Sequence, residues 1–315
     1  IGLELTNESG EKLKAENIKS IQQELQLWDG IIDSHFSIGT DTANVKTAVH
    51  PGKDRLAVAL HSPMIGKGTM KVNLRFPYPS GGHSDDATDW NSPQKHKTEI
   101  LSQNESTFIL KRTLDSTVYY VTVNYVGKAL LTEKAPHYFI ITPESNDFQF
   151  TCDFTDENPA ESVNVAEETF TASSEYWQEF WKRGGVIDFS KCTDGRAGEL
   201  ERRIILSQYL MAIQSAGMYP PQETGLTYNS WFGKFHLEMH WWHAVHFALW
   251  DRTDLLERSM DWYAQAYTVD KSIAERQGFK GARWMNMTDP SAMEAPSKVG
   301  SFLIWQQPHF IYMAE

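Results

Sequence analysis

Apolar and polar residues alternate along the chain from Asp41 to about Phe154. Asp54–Leu60, Thr69–Arg75 and Ser106–Arg112 repeat with a period of two. Val118–Val126 and Tyr138–Thr142 continue in β-branched and aromatic residues, the signature of half-buried strands. Turn residues separate them: Pro51-Gly52, Gly66-Lys67-Gly68, Pro79-Ser80-Gly81-Gly82, Gly127 and Pro143. Antiparallel strands that each hide one face are best satisfied by two packed sheets. Residues 1–172 are therefore expected to form an antiparallel β-sandwich. The polar stretch Ser80–Lys97 reads as a long loop carrying one indole, Trp90. Two readings fit it: a loop pinned by that indole, or a loop reaching toward a ligand site on a neighbouring domain.

Near Ser173 the period changes to that of a helix. Ser173 to Gly185 offers a Ser N-cap, the i,i+4 aromatic pairs Tyr176/Phe180 and Trp177/Trp181, and a Lys-Arg-Gly-Gly stop. Residues 173–197 are expected to form a helical linker, with Trp177 and Trp181 buried at or near a domain junction. Gly198–Gly217 predicts one long helix striped by Leu200, Ile204, Ile205, Tyr209 and Ile213, with Gly217 at its C′ position. Further helices are expected from Phe235 to Trp250 and from Asp254 to about Tyr267. Long helices in succession, with no strand between them, predict a helical-hairpin array over residues 198–315 rather than βαβ units.

Composition narrows the function. The 315 residues are 41% hydrophobic and 22% charged, a globular balance. The net charge of −12 repels a phosphate backbone, which argues against a nucleic-acid partner. No apolar run is long enough for a membrane span. Two cysteines, Cys152 and Cys192, leave pairing open. The chain begins at Ile1 and stops inside an apolar, helix-like run, Ser301–Glu315. A processed N-terminus, a truncated C-terminus and a periplasmic or extracellular location are the expectations. Nothing in the pattern sets an oligomeric state.

Nine of the 11 tryptophans lie between Trp177 and Trp305, beside the densest chemistry of the chain. A polar loop carrying Gln222, Glu223, Asn229 and Trp231 leads into a helix start with His236, Glu238, His240, Trp241, Trp242 and His243. Such groups are costly to bury unless paired or bound to something. Three readings compete. His236, His240 and His243 at i, i+4 and i+7 could ligate a metal, but no HExxH motif and no Cys or Asp cluster completes a site. They could equally be satisfied core histidines among packing indoles. The reading favoured here is a sugar site, because a pyranose needs carboxylate, amide and imidazole partners beside flat indoles. A second cluster repeats that vocabulary: Arg283, Trp284 and Glu294, then Trp305, Gln306, Gln307 and His309. Trp231, Glu238, His240, Arg283, Trp284 and Gln307 are expected to line one concave site. No metal and no cofactor is expected, and the partner is an oligosaccharide or polysaccharide.

A β-sandwich, a Trp-rich linker helix and a helical array bearing Gly233-Lys-Phe-His-Leu-Glu-Met-His-Trp-Trp-His243 together resemble the six-hairpin (α/α)6 glycoside hydrolases. Families 65 and 95, with uncharacterised bacterial relatives, are the ones meant. The resemblance implies a supersandwich-like N-terminal domain and the first part of an (α/α)6 barrel. Phe235-His-Leu-Glu238 stands where family 65 carries an aromatic-Asp-Thr-Glu segment, so Glu238 is the implied catalytic or substrate-anchoring acid. The Asp-Thr pair is absent, and histidines replace it. Gly281-Ala-Arg-Trp284 to Glu294 is similar to the family's Gly-Ala-Arg-aromatic…Glu segment, and His309 falls where the next helix turns a polar residue toward the sugar. The implied reaction is glycosidic hydrolysis with inversion, by two carboxyl groups ~6.5–9.5 Å apart, with the general acid expected beyond Glu315. A phosphorylase, a polysaccharide lyase using Asn229, His240 and Arg283, or a non-catalytic carbohydrate-binding protein on the same toroid are the alternatives.

Overall fold

The computed structural model describes residues 1–159, 165–295, 297 and 299–315. Two compact units emerge: Ile1–Tyr78 with Asp89–Lys182, and Pro79–Thr88 with Arg183–Glu315.

The first unit is the β-sandwich. Its strands are β1 (Gly2–Leu5), β2 (Lys19–Gln26), β3 (Ile31–Ile38), β4 (Asp41–Val49), β5 (Arg55–His61) and β6 (Met70–Arg75), followed by β7 (His96–Gln103), β8 (Thr107–Leu114), β9 (Thr117–Val126), β10 (Ala129–Ala135), β11 (Tyr138–Pro143) and β12 (Asp147–Thr155). They form a four-stranded sheet in the order β1-β6-β11-β10 and an eight-stranded sheet in the order β7-β8-β9-β12-β5-β4-β3-β2. Every pairing between them is antiparallel. Alternation decides what lies between the sheets. Val58 and Leu60, Met70, Val72 and Leu74, Phe108 and Leu110, Val121 and Val123, and Phe148 and Phe150 are all buried in one core, each pair two residues apart as a pleated strand requires.

The intervening positions explain where the helix goes. Ala57 and Ala59 on β5, with Ala48 on β4, form a shallow surface of small side chains on the other face of the large sheet. Ala166 and Phe170 of helix α1 (Ala166–Lys182) pack there with Ile31. Arg55, nearly buried, ties the layers by binding Asp153 on β12 at 2.6 Å and Glu168 on α1 at 2.8 Å. The helix begins at Ala166, seven residues ahead of the expected Ser173. Ser173 is not a cap: its hydroxyl is buried mid-helix and donates to the carbonyls of Asp29 and Gly30. Trp181 donates from Nε1 to the Leu27 carbonyl at 2.6 Å, and the buried Trp177 lies against Gly30. Gly30 has a φ of +65°, and a Cβ there would sit 2.0 Å from Trp177 Cδ1. The aromatic helix therefore belongs to the sandwich unit.

In the second unit are α2 (Ala197–Ser215), α3 (Leu237–Leu249), α4 (Thr253–Arg276) and α5 (His309–Ala314). The helix α2 stops at Ser215, and Gly217 does not adopt the left-handed conformation of a C′ glycine. Of its expected apolar stripe, Tyr209 is buried while Leu200 and Ile213 are exposed. The run Ser301–Glu315 is not one helix: a 3-10 turn at Gly300–Phe302 and α5 are separated by loop and turn at 303–308. Helices α3 and α4 form a hairpin around Leu237, Trp262, Tyr263, Ala266, Trp284 and Ala292. Buried Arg252 at the hairpin turn donates to Gln208 Oε1 on α2 at 2.6 Å. The excursion Pro79–Thr88 pairs through Ser84–Asp85 with Asn229–Ser230, so this part of the long loop joins the helical unit. Trp90 lies in the sandwich unit beneath the Arg75 guanidinium, 4.4 Å from its ring centre. Among the described residues no helix is long and apolar enough to cross a membrane. Cys152 and Cys192 are both free thiols.

Candidate active site

The loop before α3 is held in an unusual backbone shape. Trp231, Phe232 and Gly233 have φ of 48°, 61° and 68°. For the two aromatic residues this left-handed region costs roughly 1–2 kcal/mol each. Side-chain contacts offset it. His83 meets Trp231 edge to face at 4.5 Å and Phe232 at 5.2 Å, and its carbonyl accepts from the Phe232 N–H at 3.1 Å. Asn229 donates from Nδ2 to the Gly82 carbonyl and to Asp85 Oδ1, each at 2.9 Å. The chain then pairs Phe235–His236 with Met287–Thr288 and turns into α3.

At that entry His236 stands between two acids. Its Nδ1 is 3.7 Å from Glu223 Oε2 and its Nε2 is 3.7 Å from Glu238 Oε2. Ser230 donates to the same Glu223 oxygen at 3.0 Å, and Asn286 reaches Glu238 Oε2 at 3.4 Å. Burial lowers the pKa of His236, and the two carboxylates pull the other way. Glu238 is in the first turn of α3, where unpaired N–H groups and the helix dipole favour negative charge. Trp231 is 6.4 Å from the His236 ring, completing a half-open group of two carboxylates, an imidazole, an amide and an indole.

The other expected residues are placed differently. His240 is fully buried, with Nδ1 2.9 Å from the Tyr263 hydroxyl and Nε2 2.8 Å from Ser259 Oγ. Burial pushes its pKa down to about 3. It is a neutral, satisfied core histidine with no surface to offer a sugar. His243 bonds through Nε2 to the Glu223 carbonyl at 2.8 Å. Trp284 is buried in the helical core, 5.1 Å from Tyr263 and 5.4 Å from Phe310, so neither ring face is free. The Arg283 guanidinium is taken up by the carbonyls of Ser301 and Leu303. Gln306 and Gln307 both donate to the Trp284 carbonyl, at 2.9 and 2.6 Å, and Gln307 also accepts from its N–H. This second cluster braces the segment that delivers Asn286, rather than lining an open surface. Glu294 is 3.9 Å from Arg276. Trp241 and His309 lie together at 5.8 Å, and His309 Nδ1 is 3.5 Å from the Leu237 carbonyl. Among the described residues no group of His, Cys, Asp and Glu is arranged to hold a metal.

Three residues of the site were not among the expected ligands. Glu223 stood in the polar loop, but nothing in its spacing aimed it at His236. Asn286 follows the Arg-Trp pair by two residues and arrives through the two-residue ladder with His236. His83 had no local signal, since its partners are about 150 residues away.

No family model matches the sequence, and no curated protein does. Solved structures do. A protein described as a putative kojibiose phosphorylase from human microbiome matches with a TM-score of 0.69 at 11% identity, over 99% of this chain and 44% of that one. A bacterial glucoamylase complexed with acarbose matches with a TM-score of 0.55 at 10% identity, over 99% of this chain and 49% of that one. The chain shares the fold of these two structures, a β-sandwich followed by a helical part. It spans about half the length of those two structures. In this chain the helix-entry residues Glu223, His236 and Glu238 and the 283–287 segment meet around the start of α3.

Proposed function

We propose that this chain is part of a carbohydrate-active enzyme that cleaves a glycosidic bond with inversion, and that residues 198–315 supply the first part of its (α/α)6 toroid. One observation carries the reading: Glu223 and Glu238 flank His236 beside Trp231 and Asn286 at a helix entry. An acceptor pair, a neutral imidazole and an amide can bind the alternating hydroxyls of a pyranose, and the indole can cover its apolar face. Glu238 anchors the sugar or activates water, its Oε2 facing His236 and Asn286. Gln307 braces the segment that delivers Asn286 through the Trp284 backbone, and His309 lies against the Leu237 carbonyl at the start of α3. Such an enzyme working outside the cytoplasm would meet its glycans there.

The test is a digestion screen of the full-length protein against oligosaccharides, beginning with kojibiose and α-glucans, with and without phosphate. Anomer-resolved NMR reads the product. Inverted free sugar without phosphate supports a hydrolase, and phosphate-dependent release of a sugar phosphate supports a phosphorylase. Retained anomeric configuration sinks the mechanism. Saturable binding with no product on any substrate sinks the enzyme in favour of a carbohydrate-binding protein.

A further inference from the structure

A cavity lies within the sandwich unit, independent of the site above. It has a volume of about 220 Å³, and Arg75, Asp89, Trp90, His96 and Tyr138 are among the residues lining it. It is smaller than the ~300–1,000 Å³ of pockets that hold drug-sized ligands, and so suits one sugar ring rather than an oligosaccharide.

Its walls are built from below. Arg112 on β8 is fully buried, and its partners are neutral: the Lys97 carbonyl at 3.2 Å, Thr98 Oγ1 at 2.5 Å and His96 Nδ1 at 2.6 Å. A guanidinium only donates. His96 must therefore accept at Nδ1 and carry its proton on Nε2, for which no protein acceptor is found among the described residues. Thr98 accepts from Arg112 and passes its own proton toward His137 Nδ1 at 2.7 Å, and His137 Nε2 donates to the Pro93 carbonyl at 2.8 Å. This relay clamps the loop to the turn between β10 and β11, where His137 holds a left-handed φ of 61°. The rings of His96 and His137 lie 3.8 Å apart. One imidazole N–H is thereby fixed at the cavity wall.

The rim supplies the other groups. Arg75 is sandwiched between Trp90 at 4.4 Å and Tyr138 at 4.9 Å. That holds the Trp90 indole upright although 47% of the residue is exposed, and leaves the guanidinium edge able to donate. Asp89 contributes an acceptor, and its carboxyl is held below the usual range by the Ser92 hydroxyl and the Asn91 N–H. Burial and the nearby His137 ring and Arg112 guanidinium bring the His96 pKa to about 4, so it donates without a charge at neutral pH. Aromatic surface, two donors and one carboxylate acceptor, itself 3.9 Å from Lys95 Nζ, suit a neutral polyol.

We propose that the cavity between the Asp89–His96 loop and the Pro136–His137 turn binds one neutral pyranose unit, a non-catalytic subsite on the β-sandwich. The proposal rests on the reading that the protein handles carbohydrate. The test uses the whole chain labelled with ¹⁵N-tryptophan, whose indole N–H signals of Trp90 and Trp28 are identified by Trp90→Phe and Trp28→Phe. Trp28, 49% exposed beneath Lys182, is the control. D-glucose, D-galactose, D-mannose and methyl α-glucoside are titrated singly, with D-glucuronate and inorganic phosphate as separate arms. At least one neutral sugar should shift the Trp90 signal saturably, with a Kd on the order of millimolar, and leave Trp28 unmoved. Asp89→Asn should weaken it roughly tenfold, the loss of one charged hydrogen bond. No saturation by any neutral sugar up to roughly 100 mM, or a response to glucuronate or phosphate alone, overturns the subsite. Turnover in the digestion screen with a silent Trp90 removes the subsite but not the enzyme. A saturating Trp90 with no turnover on any substrate does the reverse.

Discussion

Replacing His240 by phenylalanine should flatten the acid side of the stability profile of the helical unit. In the native protein His240 is neutral and fully buried, with its pKa brought from the ordinary 6.5 to about 3 by burial. Protonation is then favoured in the unfolded chain. The stability held in this group is complete above pH 6.5 and drains away as pH falls toward about 3. The slope approaches about 1.4 kcal/mol per pH unit below pH 6.5, a loss of roughly 2.3 kcal/mol between pH 6.5 and 4.5. The variant lacks this term but leaves the buried Tyr263 hydroxyl without its imidazole partner, a cost of roughly 1–3 kcal/mol at neutral pH. Ser259 suffers less, because it also donates to the Leu256 carbonyl at 3.0 Å. The variant should thus be the weaker protein at pH 7.5, and the gap should close roughly one to two units below pH 6.5. Other histidines, His96 included, titrate in both proteins and cancel. Urea unfolding followed by tryptophan fluorescence at pH steps from 7.5 to 4.5 measures the gap. A constant difference across that range would show that His240 does not stay neutral in the folded state, and the burial argument would fall.

Three further outcomes follow from the same geometry. In the full-length enzyme, Glu238→Gln should keep the melting temperature and cut turnover on aryl glycosides with good and poor leaving groups alike; rescue confined to good leaving groups would make Glu238 the general acid. Gly30→Ala should cost roughly 2–5 kcal/mol, because the new Cβ meets the Trp177 ring and the left-handed φ is disfavoured; a melting temperature within a degree or so of wild type would contradict that packing. An alkylating reagent should label one thiol in the native chain and two after denaturation, since Cys192 is exposed whereas Cys152 is buried with its pKa pushed up to about 12; native labelling of Cys152 would count against the core.

The sequence was most legible where periodicity and burial agree. Val58 and Leu60 face the sandwich core and Ala57 and Ala59 face α1, so the alternation that marked β5 also sorted its two faces. Of the strands before Asp41, β2, Lys19–Gln26, escaped notice because it is exposed almost throughout and has no apolar side to reveal it. Ser173 read as a helix cap because a hydroxyl satisfies a helix start and a neighbouring carbonyl equally well, and only the Asp29–Gly30 turn decides between them. In the candidate site, residue types were readable but directions were not. His236 and His240 lie four apart, yet one meets two acids at the loop edge and the other is sealed against Tyr263. Arg283 and Trp284 had the chemistry of a sugar clamp, and packing turned both inward.

The ten residues Pro79–Thr88 bear on how the protein is made. Asn229 and its partner Asp85 are separated by 144 positions, and a ribosome adding ~5–20 residues per second needs roughly 7–30 s to cover that distance. For much of that interval the excursion is clear of the exit tunnel while its partners have not been synthesised. It must wait, polar and glycine-bearing, without aggregating. For the same reason a gene fragment starting at Arg183 would encode the helices without His83 and Asp85, which brace the Trp231 loop. The helical half is therefore not a cassette that could be cut out at one splice point, and shuffling it onto another partner would require moving two pieces of coding sequence together.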